Sequence, residues 1–301
     1  MVVPYPSPST RPEPIRTDNR TLFRRPVVVL TVTAMIVGLV ASFVATSVRT
    51  PGLLLPGVTP PPDPVVELGE IKPDLRERFE ELIDGHLDAH EGLQASVALT
   101  DGRHELSAGS DIAFETASIV KVEILLRWLL ARQDDGLPAE EYRLAEQMMT
   151  VSDNDATNRL CLSIVGLTAP DDIPGGVDAC TVHGYWGHDP TTAEQQLPVL
   201  HAAFHSERLT TESRDVVKKF MAAIVPEQAW GVSAAANDSQ QVWLKNGWDD
   251  RDGWLVHSMG VVDGPTPIHI VVLTFGHDDF RSGVDHVEEL TRLAVSVIVD
   301  R

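Results

Sequence analysis

Apolar and polar positions change their rhythm twice along the chain. Val27 to Val48 runs 22 residues without a charge. As a helix it spans roughly 33 Å at about 1.5 Å per residue, enough for a hydrocarbon core of about 30 Å. This predicts one transmembrane helix. Beyond residue 67 the apolar positions recur at helical or strand spacing. Pro73 to His90 places Leu75, Phe79, Leu82, Ile83 and Leu87 on one helical face, with proline at the start. Ala95 to Leu99 and Glu105 to Ala108 read as a hairpin around Asp101-Gly102-Arg103. Helices are expected over Ser118 to Arg132, Ala139 to Val151, Asn154 to Val165, Thr192 to His205 and Thr211 to Ile224. Gln241 to Asn246, Leu255 to Val262 and Ile268 to Phe275 read as three consecutive strands, and Gly283 to Val299 as a closing amphipathic helix. Helices at both ends and in the middle, with antiparallel strands beside them, argue an α+β fold.

The segments before residue 68 do not read as globular. Residues 1–26 hold prolines at 4, 6, 8, 12, 14 and 26, which break helices. They also hold five arginines, so the positive-inside rule puts this tail in the cytoplasm. Residues 27–48 are the expected anchor. The alternative is a cleaved leader with Ala45-Thr46-Ser47 as its cleavage site. Residues 49–67, with prolines at 51, 56, 60, 61, 62 and 64, read as a stiff spacer. Residues 68–301 then form one extracytoplasmic domain with 18 basic against 40 acidic residues. That surface repels nucleic acid and anionic lipid. Outside the membrane the setting is oxidising, so pairing of the two cysteines, Cys161 and Cys180, is expected, two buried free thiols being the other possibility.

Candidate chemistry narrows the picture further. Nineteen of the 24 basic residues are arginine, and only five are lysine. Only lysine can act as a base once buried. Lys121 stands three residues after Ser118, on the same helical face, where a neutral amine would activate the hydroxyl. Lys245 stands in Lys245-Asn246-Gly247-Trp248. Between the two lies Ser152-Asp153-Asn154. Singly, each triplet reads as well as a helix cap, a turn or a solvated strand end. No phosphate loop and no cofactor motif is present. His86 and His90, four apart on a helix, are read as surface residues rather than metal ligands.

Ser118-x-x-Lys121, Ser152-Asp153-Asn154 and Lys245-Asn246-Gly247, in this order, resemble the motif set of class A β-lactamases and penicillin-binding proteins. The resemblance covers roughly residues 72–301. It implies a helical lobe and an antiparallel sheet flanked by helices, with the site in the cleft between them, and no cofactor. It implies Ser118 as the acylated nucleophile, Lys121 as the acylation base and Ser152 as the relay to the leaving nitrogen. Asn154, Asn246, Gly247 and Trp248 would bind substrate, and Lys245 would attract its carboxylate. The amides of Ser118 and Trp248 would form the oxyanion hole. The expected partner is a β-lactam or a D-alanyl cell-wall peptide.

Three departures stand out. The stretch between Lys121 and Ser152 is short for the family. Asn246 stands where threonine or serine is usual. The loop Thr181 to His188, before Asp189-Pro190-Thr191-Thr192, has no counterpart of the family's deacylating glutamate. His183, His188, Asp189 and Glu194 are the nearby substitutes, and deacylation is expected to be slow. A catalytically degenerate sensor or scaffold is the rival function.

Overall fold

The computed structural model describes residues 73–165, 180, 186–251 and 253–299. The expected cytoplasmic tail, anchor and spacer all lie outside the described residues. Among the described residues, no helix is long and apolar enough to cross a membrane.

Five strands form one antiparallel sheet in the order β2 (Glu105–Gly109), β1 (Gln94–Thr100), β7 (Ile268–His277), β6 (Trp254–Val262), β5 (Val242–Asp249). Strands from the two ends of the chain therefore meet at the centre, where Val97 pairs with Val272. The central strands are buried on both faces, and side-chain alternation sorts them into two cores. Ile270 and Val272 of β7 pack towards α1 (Pro73–Asp88) and α7 (Phe280–Val299), with Phe79, Ile83, Val287 and Leu290. Val271 and Leu273 face a helical lobe. The lobe comprises α2 (Lys121–Arg132), α3 (Ala139–Thr150), α4 (Asn154–Ile164), α5 (Ala193–His205) and α6 (Thr211–Ala222). This is the α+β arrangement that the periodicity predicts.

Local chemistry fixes the helix starts that matter for the site. Asp153 caps α4 by accepting from the Ala156 amide at 2.7 Å. Thr192 and Gln195 form a reciprocal capping box at α5. α2 begins later than expected. A short 3-10 turn, Ala117–Val120, precedes it, and Ala117 holds φ at +43°. Cys161 and Cys180 are joined in a disulfide, as expected. The 19-residue separation corresponds to roughly 3 kcal/mol in the chain-entropy account. A two-residue ladder of β3 (Phe114–Glu115) and β4 (Pro190–Thr191), too short to leave a pattern in the sequence, clamps the chain just ahead of Ser118.

Candidate active site

Ser118 lies in the 3-10 turn at the edge of the lobe, facing the outer strand β5. The segment before it is pinned from two sides. The Thr116 amide donates to Asp189 O at 3.1 Å and the Ala117 amide to Gly187 O at 2.8 Å. His257 of β6 reaches across to Glu115 O at 2.9 Å and accepts from the Thr274 amide at 3.2 Å. A carbonyl can only accept, so Nε2 of His257 carries the proton. Burial pushes this imidazole down to about 4, which keeps it neutral.

The three motifs converge. Lys121, fully buried at the start of α2, donates to Ser152 O at 2.8 Å, Ser152 Oγ at 3.1 Å and Asn154 Oδ1 at 2.7 Å. Lys245, fully buried on β5, donates to the same Ser152 Oγ at 3.0 Å and to Asn246 O at 2.7 Å. Asp153 is the cap of α4, which leaves the residues on either side of it free to face Lys121. Ser152 adopts φ +58°, a left-handed backbone uncommon for serine. Burial pushes Lys121 down to about 7, with the charge of Asp153 opposing. Lys245 is lowered well below its usual range, by burial first and by the charge of Lys121 second.

Gly247 brings β5 onto the nucleophile turn. A β-carbon there would sit 2.8 Å from the Ser118 amide and 3.0 Å from that of Ile119, so only glycine permits this approach. Among the described residues β5 pairs with β6 alone, and its other edge faces the Ser118 turn. A cleft of about 320 Å³ opens here, lined by Ser118, Asn154, Trp186, His188, Trp248 and Arg251 among others. An adjoining pocket of about 200 Å³, walled by Phe114, Leu255 and Phe275, shares Asp249 and Arg251 with the cleft.

Some expectations meet a different geometry. Among the described residues, no hydrogen bond joins the Ser118 hydroxyl to either amine; Lys121 spends its donors on Ser152 and Asn154. Asn246 does not face the cleft. Its carboxamide is buried and donates to Gln228 O at 2.8 Å and Trp230 O at 3.1 Å. Strand alternation is the reason: Lys245 reaches Ser152 and Gly247 abuts the Ser118 turn, so Asn246 between them points away. Trp248 borders the cleft with its ring packed against Trp230 and Phe280, at centroid distances of 6.0 and 5.5 Å.

The substitutes for a deacylating carboxylate fare unevenly. Glu194 is bonded to Ser107 Oγ on β2. Asp189 contributes its backbone carbonyl to Thr116. His183 lies outside the described residues. His188 lines the cleft, but its Nδ1 is 2.6 Å from Arg251 Nη2 and 3.0 Å from Glu115 Oε2, and its Nε2 is 3.3 Å from Arg251 Nη1. Trp186 was missed in the sequence. Its ring centroid lies 4.7 Å from Lys121 Nζ, and its indole donates to Asn158 Oδ1 at 2.8 Å. Nothing local in the sequence signals that long-range contact.

No family model matches the sequence, and no curated protein matches it. Solved structures do. A class A β-lactamase from Bacteroides cellulosilyticus is 13% identical with a TM-score of 0.65, covering 75% of this chain and 99% of that one. A class A β-lactamase from Mycobacterium abscessus is 17% identical with a TM-score of 0.59, covering 75% of this chain and 99% of that one. A variant of the penicillin-binding protein PBP-A, solved as its acyl-enzyme with penicillin G, is 18% identical with a TM-score of 0.58, covering 76% of this chain and 97% of that one.

Proposed function

On the premise that the chain has the fold shared by class A β-lactamases and a penicillin-binding protein, we propose that it is an extracytoplasmic serine hydrolase. It forms an acyl-enzyme at Ser118 with β-lactams or with D-alanyl peptidoglycan peptides, and it releases the acyl group slowly. One observation carries this reading: two fully buried lysine amines meet on one serine hydroxyl beside an open cleft that Ser118 lines. Burying two like charges without a carboxylate partner is costly, and chemistry is the usual reason that such pairs persist.

In this mechanism neutral Lys121 takes the Ser118 proton as the oxygen attacks the substrate carbonyl. The amides of Ser118 and Trp248 hold the developing oxyanion; one such donor is typically worth about 10²–10³ in rate. The C–N bond then breaks, and Ser152 passes the proton from Lys121 to the departing nitrogen. Asn154 holds the substrate amide and Lys245 attracts its carboxylate. Hydrolysis needs a base for the attacking water. Among the described residues, no carboxylate is paired with Lys121 or Lys245. A missing general base slows that step by roughly 10²–10⁴.

The test is labelling of the full chain with a fluorescent penicillin, followed by intact mass over time. One label per chain that decays slowly, and none on Ser118→Ala, is expected. Equal labelling of Ser118→Ala overturns the mechanism. A label that never decays favours the sensor reading. The proposed anchor, residues 27–48, is checked by carbonate extraction of membranes. A retained anchor leaves the chain in the pellet, and a soluble chain favours the cleaved leader.

A further inference from the structure

On the face of the sheet away from the helical lobe, α1 and α7 bring together three imidazoles. His86 lies in the last turn of α1, His90 two residues past its end, and His286 in α7. One nitrogen of each lies within 4.8 Å of one nitrogen of both others. His86 Nε2 is 3.0 Å from His286 Nδ1. The ring centroids are 4.5, 5.3 and 4.6 Å apart. We propose that His86, His90 and His286 form a three-histidine site for a divalent transition metal of the zinc class, tying the first helix of the domain to the last.

Several features favour a metal over a plain polar cluster. His90 Nδ1 lies 2.7 Å from His86 O. A carbonyl only accepts, so Nδ1 carries the proton and Nε2 presents its lone pair. Fixing one ring nitrogen on a backbone carbonyl is the usual way that proteins aim a ligating imidazole. Between His86 Nε2 and His286 Nδ1 only one proton fits. A metal held by both nitrogens requires that proton to move to the other nitrogen of its own ring, with no net proton gain or loss. Tetrahedral ligation at about 2.0–2.1 Å demands nitrogen separations of about 3.3 Å; His86 Nε2 and His286 Nδ1 stand at 3.0 Å, and the His90 ligand atom, within 4.8 Å of both, closes in on binding. His90 is exposed and the other two are half-buried, which leaves the fourth position to water. Glu289 and Asp285 act electrostatically on His86 and His286 and supply negative charge for a dication. Three histidines with an open fourth position match a zinc-type ligand set.

A second histidine group provides an internal control. His201 and His205 on α5 meet His269 on β7, with His205 Nε2 and His269 Nε2 3.2 Å apart. Among the described residues, only the first group places three ligand atoms in mutual reach.

The test uses the full chain freed of metal with a chelator, titrated with Zn²⁺ by calorimetry and with Co²⁺ by visible absorption. One ion per chain is expected, with the intense d–d bands of four-coordinate cobalt. Zn²⁺ at about a hundredfold excess over Kd should raise Tm by about 5–10 °C. His90→Ala, an exposed change that leaves the packing intact, and His286→Ala should each weaken binding at least about tenfold. His205→Ala should leave it unchanged. Binding that survives His90→Ala, binding lost in His205→Ala, or no binding with Kd below about 100 μM overturns the proposal.

Discussion

Lys121 and Lys245, 124 positions apart in the chain, donate to the same hydroxyl oxygen, Ser152 Oγ, at 3.1 and 3.0 Å. Two ammonium groups on one acceptor repel, and burial penalises both. Burial holds both below the usual lysine range, and the charge of Lys121 lowers Lys245 further. Arginine at either position would keep its charge and forfeit the base, which gives a physical reason for lysines to stand here in an arginine-rich chain.

Acylation should follow this titration. With Lys121 near 7, the labelling rate is expected to rise with pH through neutrality and to level off once the amine has lost its proton. Asp153 opposes the downward shift, so Asp153→Asn should move the midpoint to lower pH. Asparagine caps helices about as well as aspartate, so α4 should stay intact. Rates of penicillin labelling between pH 5.5 and 9 check this. A profile flat with pH, or a midpoint that climbs in Asp153→Asn, would contradict Lys121 as the base.

The same amine ties stability to pH. The folded chain holds Lys121 below its unfolded value of 10.5. Between about pH 7 and 10.5 the unfolded chain therefore binds the extra proton, and stability rises with pH across that window. In Lys121→Met this contribution vanishes. The unfolding free energy between pH 7 and 9 should then gain less, by up to about 1.4 kcal/mol per pH unit for one proton. Urea melts of both proteins at the two pH values measure the difference, and identical slopes would mean that Lys121 is not depressed.

Gly247 sets the gap between β5 and the nucleophile turn. Alanine there would press its methyl against two backbone amides, neither of which can swing aside as a side chain does. Gly247→Ala is expected to lower the labelling rate by about 10²–10³, the worth of a displaced oxyanion donor. Overpacking should destabilise the fold by about 1–3 kcal/mol. A variant that labels at the parent rate would show that the amides of this edge do not serve the carbonyl.

Much of this was legible in the sequence, and the gaps have physical causes. Short-range periodicity located the long helices and β5, β6 and β7. It ended β5 at Asn246, where the strand in fact runs to Asp249, because glycine and buried polar residues mimic a turn. The helix expected from Ser118 begins as a 3-10 turn, since the left-handed Ala117 resets the backbone there. Strand alternation alone would have turned Asn246 away from the cleft. Trp186 over Lys121, and His286 beside His86, were beyond reach: contacts across 65 and 200 positions leave no local trace.

Among the described residues, His188 is the one proposed substitute base that lines the cleft, and its surroundings argue against that role. A guanidinium can only donate, and Arg251 lies against both ring nitrogens, so the lone pair that would accept a water proton is already directed at Arg251. Asp249 and Glu115 hold Arg251 in place at 2.6 and 3.1 Å. A working general base is worth about 10²–10⁴ in rate. His188→Ala should therefore change the lifetime of the labelled Ser118 by no more than about threefold, well short of that range. Intact-mass time courses of parent and variant decide it. A lifetime prolonged a hundredfold or so would restore His188 as the water-activating group, and would require Arg251 to swing away once the acyl-enzyme has formed.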